Sequence, residues 1–430
     1  SFDNTGVAHQ FYENGHWQVE QAAATGSDAR QDLFSTDAGV TNYWASPPRP
    51  VQDTDYQDTL NGNDAIAKLN IFATNYLNTG KRFFLGVGFH RPHLPFVSPK
   101  TYWDLYDPSK IVLTNYVTRT AYTGTRTPPA GTLAFTAANL EIQSYGDIPS
   151  VGVTNAAQAR QLIHGYLAAS SFTDYQLGRV IAALNASGVA SNTIIVLWGD
   201  HGWHLGDHNG YWCKHSCYEE AARAPLIISA PGMATLGTAG KVCPSPVEFV
   251  DIYPTLVDLT GLPTPVQPPG LALQGISLRP LLEDPNQPWK KGAFSEFQRN
   301  ITGTGVAHTG NGMGYSIRTT RYRYTEWWRT QTTLVSGPYG NYSLDRDVKL
   351  YSSPEHIELY DMLNDPNETV NQATNAAFAS VKAELAAALA GGYGWTNSSV
   401  APPAIYPTNF AAWQTNLVEP GYPLATFAQT

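Results

Sequence analysis

Three short runs in this chain are apolar almost throughout: Arg82-Phe-Phe-Leu-Gly-Val-Gly-Phe89, Thr193-Ile-Ile-Val-Leu197 and Ala224-Pro-Leu-Ile-Ile-Ser-Ala-Pro-Gly232. A strand with one wet face alternates polar and apolar side chains, so a strand apolar on both faces is expected to be covered on both. Helical spacing fills the intervals. Ile66, Leu69, Ala73, Tyr76 and Leu77 predict a helix from Asn63 that stops at Asn78-Thr-Gly80. Leu162, Ile163, Tyr166, Leu167, Val180, Ile181 and Leu184 predict a long helix over about 155–186 with Gly188 behind it, and Phe249, Ile252, Leu256 and Leu259 predict another from about Val247. Apolar strands alternating with helices predict an α/β fold, with a central, mostly parallel sheet flanked by helices.

After Pro280 the texture changes. Gly314-Tyr-Ser-Ile-Arg-Thr-Thr-Arg-Tyr-Arg-Tyr-Thr-Glu-Trp-Trp328 alternates polar with apolar or aromatic residues, the pattern of half-buried antiparallel strands, and an alanine-rich helix is predicted over about 373–390. This divides the chain into an irregular or wrapping segment (1–60), a main α/β domain (61–288), a smaller C-terminal α+β subdomain (289–392) and an extended tail (393–430). Arg318, Arg321 and Arg323 read as solvent-facing strand residues.

Charged residues make up 14% of the chain, against about 25% in an average soluble protein, and Asn, Thr, Ser, Gly and Tyr take their place. That balance points to a secreted or lysosomal protein. Sequons at Asn185, Asn300, Asn341, Asn367 and Asn397 are expected to carry N-glycans there. A net charge of −9 with no Lys/Arg run disfavours nucleic acid, and no apolar run is long enough to span a membrane. Cys213, Cys217 and Cys243 are an odd number, which in an oxidising compartment predicts one disulfide and a leftover thiol that could reach another chain. The start at Ser1 suggests a processed product or part of something longer.

In open α/β sheets, ligands bind beyond the carboxyl ends of the strands. Two of the apolar runs end on reactive side chains, one on His90-Arg-Pro-His93 and one on Asp200-His201, and Lys214 follows behind a Gly-rich loop. If the two strands are parallel neighbours, a carboxylate, imidazoles and an ammonium converge on an anion beside a metal. Such a site suits attack on a phosphate or sulfate ester, in which charge builds on the transferred group's oxygens. His204 and His208 are four apart, but Gly206-Asp207 between them makes a loop a better reading than a zinc-binding helix, and His215 has no assigned role.

The order of motifs is more specific than any one of them. Phe83-Phe-Leu-Gly-Val-Gly-Phe-His-Arg-Pro-His-Leu-Pro-Phe96, Asp200-His-Gly-Trp-His-Leu-Gly-Asp-His208 and Trp212-Cys-Lys-His-Ser216 come in sequence. Met313-Gly-Tyr-Ser-Ile-Arg-Thr319, Tyr322-Arg-Tyr-Thr325, Glu358-Leu-Tyr-Asp361, Asp365-Pro-Asn-Glu368 and Asn371 follow. Together they resemble the sulfatases of the alkaline phosphatase superfamily, and within them the iduronate-2-sulfatase-like branch. The resemblance implies the alkaline-phosphatase-like sandwich with a C-terminal antiparallel sheet. It implies that Asp200 and His201 help hold a divalent cation, usually Ca2+, and that Lys214 contacts the sulfate. A histidine of the His90-Arg-Pro-His93 segment also faces the sulfate, His90 being favoured over His93 because it comes first after the apolar run.

The chain departs from the family in one respect. The formylglycine segment Cys-x-Pro-x-Arg, the paired metal-binding aspartates before it and the Gly-Lys-x-x-His motif are not in this sequence; Cys243-Pro-Ser-Pro is followed by Val. Ca2+ takes six to eight oxygen ligands, so Asp200 and His201 need others. The first expectation is therefore the C-terminal chain of a processed two-chain sulfatase acting on sulfated carbohydrate, with an N-terminal fragment of the same precursor supplying formylglycine. The alternative is a sulfatase-like structural or binding glycoprotein without catalysis. A phosphodiesterase or phosphonate hydrolase on the same fold is a third.

Overall fold

A computed structural model of the protein describes residues 34–35, 56–113, 142, 153, 155–263, 273–290, 292–299, 312–337, 340–349 and 353–392. The segment before 56 (apart from 34–35), the tail after 392 and the sequons at Asn300 and Asn397 lie outside them. The chain forms two compact units, one from residues 1–126, 140–190 and 205–213, the other from 127–139, 191–204 and 214–430.

In the first unit two helices carry the packing, α1 (Gln57–Thr79) and α2 (Ala156–Ala186). Asn155 starts α2 by accepting from the Gln158 N–H at 2.8 Å, a cap of the kind that contributes about 1 kcal/mol. Gly80 closes α1 with a φ of 68°, a left-handed geometry that glycine adopts without strain. Ala65, Leu69 and Ala73 of α1 and Ala159, Leu162, Ala168, Ala169 and Phe172 of α2 are buried, each large one contributing about 1.5–3 kcal/mol. Gln176 of α2 is buried too, with its amide donating to Thr59 at 3.2 Å and accepting from Arg179 at 2.7 Å. β1 (Phe34–Ser35) pairs in parallel with β2 (Phe96–Val97), and Gly165 of α2 lets Phe96 and Trp103 close in, since a Cβ there would lie 2.9 Å from Trp103.

Residues 82–89 differ from their expected form. They form no strand, and Phe84 is 81% exposed. An apolar run becomes a strand only when a second strand pairs with it, and among the described residues no strand does. Instead it lies along α1, with the Phe72 and Phe83 rings 5.6 Å apart and Asn61 Nδ2 donating to the Gly88 carbonyl at 3.1 Å.

In the second unit β3 (Ile195–Trp198) pairs with β4 (Leu226–Ser229), Ile195 opposite Ser229 and Trp198 opposite Leu226. Both strands fall where expected, but they run antiparallel rather than parallel. A parallel pair needs a crossover, usually a helix of three or more turns, and the connection here holds only the four-residue turns Asp207–Gly210 and Glu219–Ala222. α3 (Ile252–Thr260) follows a 3-10 turn at Phe249–Asp251. There, buried Lys290 joins Asp251 at 2.6 Å and Glu248, while Asp251 also accepts the Ile276 N–H at 3.0 Å.

The C-terminal sheet is antiparallel, as expected. β5 (Gly292–Arg299), β6 (Gly312–Thr319), β7 (Tyr322–Gly337) and β8 (Gly340–Lys349) pair in order, and β9 (His356–Asp361) pairs with β7. Tyr315, Ile317, Tyr324, Trp328 and Leu359 pack with Leu385 and Leu389 of α4 (Ala379–Gly392). The architecture is α/β with a separate antiparallel sheet.

Candidate active site

His90 and His93 belong to the first unit; Asp200, His201 and Lys214 belong to the second. The His90-Arg-Pro-His93 turn is held by backbone contacts and by α1. His93 N–H donates to the His90 carbonyl at 3.0 Å, and the two imidazoles lie 5.0 Å apart. His93 Nδ1 is 2.7 Å from the Leu94 carbonyl. A carbonyl only accepts, so Nδ1 carries the proton and a neutral His93 keeps its lone pair on Nε2.

Asp58, in the first turn of α1, was not singled out from the sequence. Its carboxylate is buried and accepts the N–H groups of His90 at 2.6 Å and Arg91 at 2.9 Å. Burial pushes its carboxyl up from the usual range, against the opposing pull of Arg91 and of the two N–H donors. The Gln57-Asp58-Thr59 start of α1 resembles an ordinary acidic first turn, so only the fold reveals this contact.

In the second unit β3 delivers Gly199-Asp200-His201-Gly202 through backbone bonds. Gly199 N–H donates to Pro225 at 3.1 Å and Gly202 N–H to Ala221 at 2.8 Å. A Cβ on Gly202 would fall 1.9 Å from the Glu220 carbonyl oxygen, so only glycine permits this approach. The Asp200 side chain is 85% exposed and its Oδ2 lies 3.4 Å from His201 Nε2. His201 Nδ1 is 2.7 Å from the Gly202 carbonyl and therefore bears its proton. That leaves Nε2 as the ring nitrogen able to coordinate a cation, beside Asp200 Oδ2. These two donors fit a divalent cation, with the balance of its ligands coming from elsewhere.

Lys214 is half-buried and heads a segment tied down by its neighbours. His204 Nε2 meets Ser216 Oγ at 2.6 Å, and Ser216 Oγ accepts the Tyr218 N–H at 3.2 Å. Tyr218 Oη donates to buried Glu358 at 2.7 Å, which also accepts Trp327 Nε1 at 2.9 Å. His215 stacks on Phe297 at 5.5 Å, and in the first unit His208 Nδ1 lies 2.9 Å from Asp207 Oδ1. All three unassigned histidines are buried.

Arg323 corrects an expectation, while Arg321 meets it. Arg323 is only 2% exposed and pairs with Glu219 and Glu368, while Arg318 reaches Glu219 at 2.9 Å. Burial works to raise the Glu219 carboxyl, but Arg318 and Arg323 beside it hold it below the usual range. Arg321 is partly exposed and forks onto Asp361 at 2.9 and 2.7 Å. Arg318 lies on β6 and Arg323 on β7, with Arg321 in the turn between them, and partners distant in sequence decided which of these side chains would be wet. The three cysteines stand as thiols, Cys217 donating to Gly314 at 3.9 Å and Cys243 to Pro285 at 3.3 Å.

Comparison with known proteins gives these residues a context. The family model described as "Sulfatase" matches residues 4–262, and that described as "N-sulphoglucosamine sulphohydrolase, C-terminal" matches 206–335. A sulfatase of Formosa agariphila is 40% identical over 186 residues, covering 43% of this chain and 34% of its own. Iduronate 2-sulfatase of Mus musculus is 33% identical over 293 residues, covering 57% of this chain and 51% of its own. The chain thus spans about half or less of the length of these relatives. Among solved structures, the phosphonate monoester hydrolase of Silicibacter pomeroyi aligns with a TM-score of 0.58 at 25% identity, over 79% of this chain and 60% of that one.

Proposed function

The chain belongs to the sulfatase family, and on that premise we propose that it is the C-terminal chain of a two-part hydrolase that cleaves sulfate esters of carbohydrates. The N-terminal part of the same precursor supplies formylglycine and the remaining metal ligands. The observation that carries this reading is the Asp200–His201 pair, whose Oδ2 and Nε2 lie 3.4 Å apart, within reach of one divalent cation. A second support is the β3–β4 pair, where Trp198 is 50% and Ile227 60% exposed on strands whose apolar character calls for cover.

Formylglycine and a divalent cation, Ca2+ in this reading, supply the nucleophile and the Lewis acid of such a reaction when present. The chain's own residues do the rest. Asp200 and His201 hold the cation. The Lys214 ammonium binds a sulfate oxygen and takes up the charge that grows there as the ester bond breaks. His90 orients the sulfate or gives its proton to the departing alkoxide, leaving a neutral alcohol; His93 is the alternative for that step. Similarity to iduronate 2-sulfatase supports a sulfated uronate or related glycan as substrate. We place the protein in the secretory or lysosomal pathway, with N-glycans at Asn185, Asn300, Asn341, Asn367 and Asn397. Asn185 and Asn367 are exposed, Asn341 lies on β8, and no helix among the described residues is long and apolar enough to cross a membrane.

Mass spectrometry of the natively purified protein, unreduced and then reduced, tests the pairing. A second polypeptide carrying a Cys-x-Pro-x-Arg peptide at the formylglycine mass is expected; a lone 430-residue chain would sink it. The same preparation should hydrolyse a glycan sulfate ester in preference to a phosphonate monoester. Lys214→Ala should cost about 10²–10³-fold in kcat with little change in Tm, and undiminished turnover would remove Lys214 from the mechanism.

A further inference from the structure

Asp58 is a buried carboxylate that the proposed chemistry leaves without a task. It sits in the first turn of α1, 1% exposed, and both of its oxygens are committed: Oδ1 to the His90 N–H at 2.6 Å, Oδ2 to the Arg91 N–H at 2.9 Å. Two neighbouring contacts hold the same stretch. Asn61, one turn further along α1, donates to the Gly88 carbonyl at 3.1 Å, and Thr173 of α2 donates to the Arg91 carbonyl at 2.9 Å. The backbone from Gly88 to Arg91 is thereby gripped by two helices, although it belongs to no strand. A segment with no ladder of its own gets its geometry from these side chains.

The geometry points to Asp58 as the positioning residue of the sulfate-facing histidine. By fixing two successive peptide N–H groups, it sets the backbone direction at His90 and so the direction in which the imidazole leaves the chain. A shift of about 1 Å at a reacting group can cost on the order of 10²-fold in rate, so a single carboxylate behind the segment has the leverage required. Asp58 touches neither substrate nor cation and acts only through His90. Keeping a carboxylate here opposes its own burial, which a merely space-filling position would not call for. This inference rests on the reading of His90 as sulfate-facing.

The test uses the natively paired protein with ring-13C histidine, titrated with inorganic sulfate, alongside kcat and KM for a glycan sulfate ester. His90→Gln identifies the His90 resonance and is expected to abolish its sulfate-induced shift and most of the turnover. Asp58→Asn keeps one acceptor oxygen but turns an amide N–H toward a peptide N–H. It is expected to lower kcat about tenfold or more, with KM within about twofold, and to shrink the sulfate-induced shift of His90. Asp58→Ala should lower kcat further. If His90→Gln behaves as expected while Asp58→Asn leaves kcat and the His90 shift unchanged, the positioning role is overturned and the reading of His90 stands. If His90→Gln changes neither turnover nor any sulfate-induced shift, that reading falls and the positioning role with it. Native-state hydrogen exchange needs no variant: the amides of His90 and Arg91 should be protected beyond those of Val87 and Gly88. Equal exchange across the four would also overturn the clamp.

Discussion

The two segments proposed to carry chemistry are held in opposite ways. His90-Arg-Pro-His93 depends on a side chain, the Asp58 carboxylate reaching across 32 positions to its peptide N–H groups. Asp200-His201 depends on backbone: Gly199 and Gly202 bond to the carbonyls of Pro225 and Ala221, and the approach at Gly202 leaves no room for a Cβ. Just beyond, the segment behind Lys214 is held by a third device, a buried ionic network joining Glu219 to Arg323 and Glu368. A side-chain clamp can be adjusted by substitution, a backbone contact can only be kept or broken, and a buried ion network fails as a unit.

The largest expected effect belongs to that network. Arg323→Met strands fully buried Glu368 without its counter-ion, while Glu219 keeps Arg318, and losing one partner of such a set costs about 3–5 kcal/mol. Urea denaturation should show the loss as a lower midpoint; a change under about 1 kcal/mol would mean the carboxylates find other partners. Gly202→Ala should come next, at about 1–3 kcal/mol, because the new methyl meets the Glu220 carbonyl carbon and oxygen rather than a side chain able to swing away. If the proposed two-part assembly holds, its binding of a divalent cation, followed by calorimetry, should weaken in that variant, and unchanged affinity would show that the Asp200 turn does not need its backbone buttress.

The smallest effect comes from Arg321 and Asp361, where the guanidinium is partly exposed. Hydrogen bonds from Arg321, aided by Asn364 and the Leu363 N–H and opposed by burial, hold the Asp361 carboxyl down at about 2. A depressed carboxylate contributes stability that is present above its unfolded value, near 3.8, and fades as pH falls through about 2. Arg321→Gln should flatten that part of the acid unfolding curve and leave stability near pH 7 within about 1 kcal/mol. An acid limb identical to that of the native protein would remove the pair from the account.

Much of this was legible in the chain. Leu162 to Leu184 marked α2, Gly188 marked its end, and Gly80 marked the stop of α1, because helical period and helix stops are local properties. Alternation from Gly314 to Trp328 gave the antiparallel strands for the same reason. The motif residues Glu358, Asp361, Glu368 and Asn371 are explained by the fold: one anchors Tyr218 and Trp327, one takes Arg321, one takes Arg323, and Asn371 caps the Leu359 N–H at 2.9 Å. What could not be read was pairing. The run at 82–89 and the run at 193–197 look alike, yet only the second is built into a ladder, since a strand is defined by the segment that takes its hydrogen bonds.

The sequence by itself determined the sulfatase family and the main helices. Those follow from residue order and short-range period. The tertiary structure alone decided that Arg323 is buried, that β3 and β4 run antiparallel, that His201 keeps its proton on Nδ1, and that Asp58 stands behind His90. Each of these depends on a partner distant along the chain or on a carbonyl placed by the folded backbone, and neither a propensity nor a motif carries that information.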